Sequence, residues 1–328
     1  MQRFRWQIKL LALICLAILA RDRTSVLAQS ANPVVGILSG GKSWVPVVAG
    51  MKEGMERLGF KDHKNISYLA EDSKGEITDL VSQAKRLVDA KADVIFALPT
   101  AHAEAAMKVT TTLPVVFAWA SDPIRSGLIA SFAASKNNLT GVTSYSGPLS
   151  EKRLELLKEI MPSVKRVLAP VSPKEIASEV SYQYAEAAAK RIGLQLIRRE
   201  VSSKAEVEKF LAEKHKGAVD AILFLPSVLL LNQIDQLIAK SKEEKLPLAV
   251  TAEDIVERGA LFNYGPDFRL VGMQSARLLA KVLKGEKPQN IPSEIPEKFL
   301  LTLNSRTLKL LGMKIPQTLA GRIDRLVE

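Results

Sequence analysis

Two short apolar runs divide the chain into two similar halves. The first occupies residues 93–100 and the second residues 220–227, and each begins at an aspartate and ends at a proline and a hydroxyl residue. Both runs are too short for a helix and rich in branched and aromatic side chains, which is typical of a strand buried on both faces. Each run therefore predicts a central strand of a parallel sheet that ends in a loop at its carboxyl edge.

The segments around the two runs repeat as well. A helical segment and then a Leu-Pro pair follow each run, at residues 113–114 in the first half and 246–247 in the second. A long-period repeat of β-α-β units predicts two similar α/β lobes rather than a short-period solenoid. Ligands of open α/β sheets bind outside the carboxyl ends of the strands, so two facing lobes predict a cleft between those ends.

The order of the predicted elements places the crossings between lobes. A strand at 139–145 and a Gly-Pro break end the first half, and a strand at 260–265 is expected to return to the first lobe. We therefore assign residues 33–144 and 262–298 to the first lobe, and residues 145–261 and 299–328 to the second. Three connecting segments would form the hinge.

The amino terminus carries an export signal. Three basic residues within the first nine precede an apolar run at 10–20, and Val26-Leu27-Ala28 offers the small residues that a signal peptidase reads. The run is about half the roughly 20 residues that span a bilayer. We expect residues 1–28 to be a signal peptide cleaved after Ala28 and the mature chain to be exported to the periplasm; a retained anchor is the alternative.

Composition is ordinary for a soluble globular protein, with 47% hydrophobic and 25% charged residues among 328. The net charge is +11, and +7 remains after residues 1–28, which contain five basic residues and one acidic residue. No basic helix is interleaved with aromatic residues, and dispersed Lys and Arg usually form a solvated surface. The charge therefore does not predict a nucleic-acid partner.

Catalytic and cofactor signatures are missing from the sequence. The three histidines have no metal-ligand spacing, and no base-nucleophile pair is visible. The Gly-rich segment 40–43 has neither the spacing of a phosphate-binding Walker loop nor that of a dinucleotide fingerprint. We predict a protein that is not an enzyme and that holds no cofactor or metal. His102 opens the helix after Thr100, where a capping or ligand-contact role is expected.

Polar residues at the predicted cleft suit an anionic ligand. Gly41, Lys42 and Ser43 precede a helix, whose free N–H groups and dipole attract an anion; a flexible turn capped by Ser43 is the alternative. Thr100 and Ser227 occupy equivalent ends of the two central strands. Each hydroxyl could cap its helix or contact a ligand carboxylate.

Aromatic and acidic residues fall at the same predicted edge. Trp44, Trp119 and Tyr145 lie in strand-end loops, where they could fill the core or form a stacking wall for an apolar or planar ligand. Four carboxylates lie there too: Asp122, Glu253, Asp254 and Asp267. Each alone is best interpreted as a solvated loop residue, but one of the group is expected to pair with a ligand ammonium.

With these features in place, the sequence resembles substrate-binding proteins of ABC transporters. It is most similar to the periplasmic-binding type I branch that includes tryptophan- and tyrosine-binding members. The resemblance covers essentially the whole mature chain, and its most specific pieces are Asn-Leu-Thr-Gly-Val at 138–142 and Ser-Asp-Pro at 121–123. Further matching pieces are 35–38, 50–59, 64–66, 93–100, 114–117, 127–128, 259–261, 303–304, 311–312 and 315–316.

The resemblance implies two Rossmann-like lobes joined by three strands and closing on a small ligand, which is delivered to a membrane permease. It places ligand contacts on the following residues: the loop 40–44, Thr100, Ala101, Asp122, Ser172, Ser227 and Glu253. The chain departs from amino-acid-binding members at 169–173, where an Asn-Pro loop is usual, and at 227–228, where an acidic-amide pair is usual. A buried ammonium needs paired acceptors, so these departures argue against a standard α-amino acid.

The sequence therefore predicts the exported, monomeric solute-binding component of an ABC import system, with a carboxylate-bearing or aromatic ligand. The alternative is a periplasmic sensor of the same fold that signals to a membrane kinase or receptor. A sugar-responsive DNA repressor of this fold would need an amino-terminal helix-turn-helix where this chain has its signal sequence.

Overall fold

The computed structural model describes residues 32–74 and 78–328. The predicted signal peptide, with its cleavage site after Ala28, lies outside the described residues. Within the described ranges, no helix is both long enough and apolar enough to cross a bilayer.

A five-stranded parallel sheet forms the first lobe, in the order β2-β1-β3-β4-β5. Its central strand β3 is buried along its whole length, as the first apolar run predicts. The strands are β1 (Val34–Ser39), β2 (Ser67–Asp72), β3 (Val94–Leu98), β4 (Val115–Ala120) and β5 (Leu139–Thr143). The helices that alternate with them are α1 (Val45–Arg57), α2 (Leu80–Asp89) and α3 (Thr100–Val109).

A seven-stranded sheet forms the second lobe, in the order β12-β11-β10-β9-β8-β6-β7. Its pairs are parallel except β10 with β11. The strands are β6 (Arg166–Val171), β7 (Gln195–Glu200), β8 (Ala221–Leu223), β9 (Leu248–Val250), β10 (Phe262–Pro266), β11 (Phe299–Asn304) and β12 (Arg325–Val327). The helices in this part of the chain are α4 (Ser146–Ile160), α5 (Ile176–Ile192), α6 (Lys204–Ala212), α7 (Val228–Leu231), α8 (Ile234–Glu243), α9 (Glu253–Glu257), α10 (Phe268–Leu283), α11 (Ser305–Leu310) and α12 (Gln317–Ala320). Of these, α10 packs on the first lobe.

The two aspartates that open the apolar runs have the same structural role. The Asp93 carboxylate accepts a hydrogen bond from the Val34 N–H at 2.7 Å, and the Asp220 carboxylate accepts one from the Arg166 N–H at 2.8 Å. In return, the Asp93 and Asp220 N–H groups donate to the Val34 and Arg166 carbonyls. Each aspartate thus joins the start of the central strand to the start of the first strand of its lobe.

Strand β10 departs from the sequence prediction. The range 262–298 was expected in the first lobe, but Phe262–Pro266 pairs with β9 and β11 in the seven-stranded sheet. The reason is packing, because Leu261 and Phe262 are fully buried in the core of the second lobe. The chain crosses to the first lobe only afterwards, when α10 packs against α1.

The backbones of α1 and α10 approach each other closely. A Cβ atom added at Gly272 would lie 2.0 Å from the Val47 carbonyl oxygen, and one added at Gly50 would lie 2.0 Å from the Arg269 carbonyl oxygen. Only glycine leaves room for this crossing. Around it, side chains of both helices, including Met51, join the core of the first lobe.

We expect Gly272→Ala to lower the free energy of unfolding by about 2 kcal/mol, because the added methyl group must push two helix backbones apart. This cost exceeds the gain of about 1 kcal/mol that alanine brings to a helix interior. Urea unfolding followed by circular dichroism measures the change. Gly321→Ala is the control, since no atom lies within 4 Å of the Cβ added there. Equal unfolding free energies of both variants and the parent protein would contradict the role of the contact.

A candidate ligand-binding cleft

A cavity of about 320 Å³ lies between the carboxyl edges of the two sheets. The first lobe contributes the loops after β1, β3 and β4, and the second lobe contributes the loops after β6, β8 and β9. Ligand sites of open α/β sheets lie at this edge, and pockets for small molecules start at about 300 Å³. The cavity therefore has the position and size of a small-molecule site shared by both lobes.

Three aromatic side chains form one wall of the cavity. The Trp44 and Phe268 rings are parallel within 2° at a centroid distance of 5.8 Å, and the Trp119 ring meets the Phe268 ring edge-on at 4.1 Å. The Trp44 and Trp119 rings are 5.8 Å apart. Such a cluster offers faces and edges to a planar or apolar ligand.

Trp119 holds a backbone conformation that a tryptophan rarely adopts. Its φ is 62°, and the pairing of β4 with β5 shifts register between Ala118 and Ala120. A non-glycine residue in this region costs on the order of 1–3 kcal/mol. The irregularity sets the Trp119 side chain into the cavity wall, and strain of this kind is concentrated at ligand sites.

The hydroxyls predicted at the two strand ends already have protein partners. The Thr100 Oγ1 accepts from the Ser121 N–H at 3.0 Å and so ties the loops after β3 and β4 together. The Ser227 Oγ donates to Glu175 at 2.7 Å, and that carboxylate also accepts from the Val228 N–H at 2.6 Å. Ser227 also caps α7 by accepting from the Leu230 N–H, which confirms the capping interpretation for this residue. Both hydroxyls therefore position loops around the cavity.

Arg153 is a cavity residue that the sequence analysis missed. It lies on α4, its side chain is buried at 1% exposure, and its Nε and Nη1 atoms have no acceptor among the described residues. Burial lowers the pKa of the guanidinium to about 9, so Arg153 remains charged at neutral pH. A sequence signal existed, because Arg153 stands between Leu149 and Leu156 on the apolar stripe of its helix.

Two half-buried carboxyl groups also line the cavity, one from each lobe. Burial raises the pKa of Glu104, against the opposing effect of Lys108, and burial raises the pKa of Asp254, against that of Arg258. Asp254 was among the candidates, whereas Glu104 was not. Lys108 and Arg258 offset part of this desolvation, and a cationic group of a ligand would stabilise either carboxylate further.

Seven of the residues proposed from sequence line the cavity: Ser43, Trp44, Thr100, Ala101, Trp119, Ser227 and Asp254. Three others, Lys42, Glu253 and Asp267, line a neighbouring cavity of about 460 Å³ that is rich in charged groups. There Glu253 pairs with Arg325, and Asp267 caps α10 by accepting from the Leu270 N–H.

The remaining four residues line neither cavity. Asp122 accepts from the N–H of Arg125 at 3.0 Å and so closes its own turn. The Tyr145 ring lies 6.0 Å from the Phe299 ring, at the crossing between lobes. Ser172 is buried and donates its N–H to the Ser178 hydroxyl, and Gly41 occupies a φ of 97° that starts the turn before Trp44. These four residues were proposed from their residue type and their position at a strand end, and neither property shows which nearby group a side chain or backbone N–H binds.

His102 lies beneath the cavity rather than on its wall. It is 3% exposed, and its Nε2 is 3.0 Å from the Ser73 Oγ. Burial lowers its pKa to about 4, although the Ser39 carbonyl and Asp72 act in the opposite direction. The sequence analysis expected His102 to cap its helix or to contact a ligand. In the structure its imidazole is instead buried and neutral.

The chain matches a family model over residues 34–326, and that family is described as ABC transporter substrate binding protein. A tyrosine-binding protein of Clostridioides difficile (strain R20291) is 27% identical over 266 residues, which cover 81% of this chain and 76% of the relative.

Solved structures agree on the fold. A Streptococcus pneumonia ABC domain in complex with L-Trp superimposes with a TM-score of 0.85 at 24% identity, covering 90% of this chain and all of that one. A ligand-free, open substrate-binding protein with adhesive properties from Clostridium difficile gives a TM-score of 0.70 at 24% identity, covering 90% of this chain and 99% of that one.

We expect His102 to make the protein acid-labile. Its pKa is lower in the folded than in the unfolded chain, so its contribution to stability is present above about pH 6.5 and is lost as the pH falls toward 4. The full shift corresponds to about 3 kcal/mol. Chemical unfolding at several pH values should show that the free energy of unfolding falls less steeply with decreasing pH in His102→Gln than in the parent protein.

The matched control is His63→Asn, because the His63 side chain is 89% exposed and asparagine tolerates its positive φ of 58°. This control should lose stability with falling pH as the parent does. Identical pH profiles for His102→Gln and the parent would show that His102 does not contribute to acid lability.

Proposed function

We propose that this chain, which belongs to the family of ABC transporter substrate-binding proteins, captures a small solute outside the cytoplasm and delivers it to the permease of an import system. Members of this family are solute-binding proteins rather than enzymes, and they act with a membrane transporter. The observation that carries the proposal is the cavity whose walls come from both lobes, because such a site can couple ligand binding to a change in the angle between the lobes.

The lobes would close by a hinge motion at the three crossings. These lie near Tyr145, between Pro266 and Phe268, and in the segment before Phe299. A hydrogen bond of 2.6 Å between the Arg125 guanidinium and the Gln183 side chain joins the two lobes. Opening the cleft would break this bond, and a ligand held by both walls would favour the closed form. We propose that the protein acts as a monomer, since each chain contains both walls.

The aromatic wall supports a ligand with a planar, apolar body. Trp44, Trp119 and Phe268 together present ring faces and edges on which a planar ring can pack. The tyrosine-binding relative and the neighbour in complex with L-Trp support the same ligand shape.

A thermal-melt screen on refolded, ligand-stripped protein tests the proposal. The panel contains aromatic amino acids, aromatic acids, purines, sugars and short peptides. A ligand at 100 times its dissociation constant adds about 2.7 kcal/mol, and about 1 kcal/mol moves the midpoint by roughly 2–4 °C. We expect aromatic solutes to raise the midpoint by several degrees. A flat response to every class would contradict a solute-binding function.

We further expect Trp119→Leu to weaken the binding of the stabilising solute about tenfold, because an aromatic contact contributes about 0.5–1.5 kcal/mol beyond its buried area. Isothermal titration calorimetry measures the dissociation constant. Phe60→Leu is the matched control, since Phe60 packs on the core of the same lobe outside the cavity. Unchanged affinity in Trp119→Leu would remove this residue from the binding wall.

A further inference from the structure

Arg153 is an unpaired charge buried in the cavity wall. Its guanidinium is held on the apolar stripe of α4, and its Nε and Nη1 atoms lack any hydrogen-bond acceptor among the described residues. Burying an unpaired charge is costly, and protein interiors normally avoid it by pairing the group. Without an acceptor, Arg153 destabilises the fold rather than contributing to it.

The acidic groups of the cavity do not neutralise Arg153. Glu175 is engaged by the Ser227 hydroxyl and by the Val228 and Leu229 N–H groups. Neither Glu104 nor Asp254 accepts a hydrogen bond from the Nε or Nη1 atom of Arg153, and among the described residues no carboxylate offsets the desolvation of its guanidinium. An acceptor for this guanidinium is therefore a water molecule or a bound solute.

The chemistry of the guanidinium selects that partner. It is planar, permanently charged near neutral pH and able to donate two parallel hydrogen bonds to a planar anion. A carboxylate suits this chemistry. The aromatic wall of the first lobe lies in the same cavity of about 320 Å³ and leaves room for a ring attached to the carboxylate by a short chain.

Resting on the proposed function, we propose that Arg153 binds the carboxylate of the solute and that the solute is a small aromatic carboxylate. Its ring packs against Trp44, Trp119 and Phe268 of the first lobe, while its carboxylate pairs with Arg153 of the second. One ligand then contacts both lobes through chemically different ends. Neither end alone joins the lobes, so recognition and closure depend on the same molecule.

The ligand's other end can vary within this class. An aromatic amino acid would place its ammonium near Glu104 or Asp254, whereas a deaminated acid would make no such contact. Both kinds of molecule share the ring and the carboxylate on which the proposal rests.

The experiment compares acids with their neutral counterparts. The probes are L-tryptophan, L-tyrosine, indole-3-propionate and 3-(4-hydroxyphenyl)propionate, each paired with its primary amide. Thermal melts and calorimetry are run on the ligand-stripped protein, on Arg153→Met and on Arg191→Met. Arg191 is the matched control, because it is an exposed arginine that pairs with Glu151 and Glu155 on the outside of α4.

We expect at least one acid to stabilise the parent protein and the Arg191→Met control, and its amide to bind at least tenfold more weakly. Arg153→Met should weaken the acid about a hundredfold and leave the weak binding of the amide unchanged. It should also raise the unfolding midpoint of the ligand-free protein, since it removes a desolvated charge. An arginine with a structural role would instead lower that midpoint when replaced.

Other outcomes overturn the inference. Equal binding of acid and amide to the parent protein, or undiminished binding of the acid to Arg153→Met, would show that Arg153 does not bind a carboxylate. A neutral or cationic solute found in the broader screen, with no response to these acids, would overturn the inference while the proposed function stands. If no solute of any class binds, both fail. The comparison of acid and amide on the parent protein needs no variant, so it decides the question even if Arg153→Met does not fold.

Discussion

The contact between α1 and α10 at Gly50 and Gly272 is the constraint on which the site depends. After β10 the chain leaves the second sheet, and α10 must then lie against the first lobe closely enough to cover its core. Side chains at either glycine would hold the two backbones apart. On the surface beside this contact, Arg269 of α10 donates to Glu53 of α1 at 2.7 Å. The crossing is therefore fixed by close packing inside and a charged pair outside.

This contact also builds the aromatic wall of the cavity. Phe268 is the first residue of α10, so the position of the helix determines where its ring meets Trp44 and Trp119. Asp267, directly before it, caps the helix and shares the neighbouring cavity. A hinge segment, a helix cap and an aromatic wall thus occupy consecutive residues. Motion at this crossing would move the wall together with the first lobe.

The two sides of the cavity differ in their physical character. The first lobe presents aromatic surface, which gains free energy from any apolar area that a ligand covers. The second lobe presents Arg153 together with Glu175 and Asp254, which are partly or fully desolvated and gain from charge pairing. Burial of apolar surface attracts a ligand with little dependence on its orientation. A buried charge instead requires a ligand group of opposite charge at one position. The combination explains how a mostly apolar cleft can still be selective.

The sequence by itself determined the two-lobed α/β architecture, because two copies of the same apolar run, each opened by an aspartate, indicate two sheets with a central buried strand each. It also located the edge of the sheets at which the cavity lies, since this edge follows from strand direction.

Tertiary structure alone decided the lobe of β10, which depends on whether Phe262 packs in one core or the other. It also decided which loop residues reach the cavity. Asp122 closes a local turn and Tyr145 packs at the crossing, while Arg153, hidden within a helix of ordinary apolar pattern, faces the cleft. The local sequence pattern shows which segments are buried and in which direction a strand runs. The partner of a side chain, however, is set by residues distant in sequence.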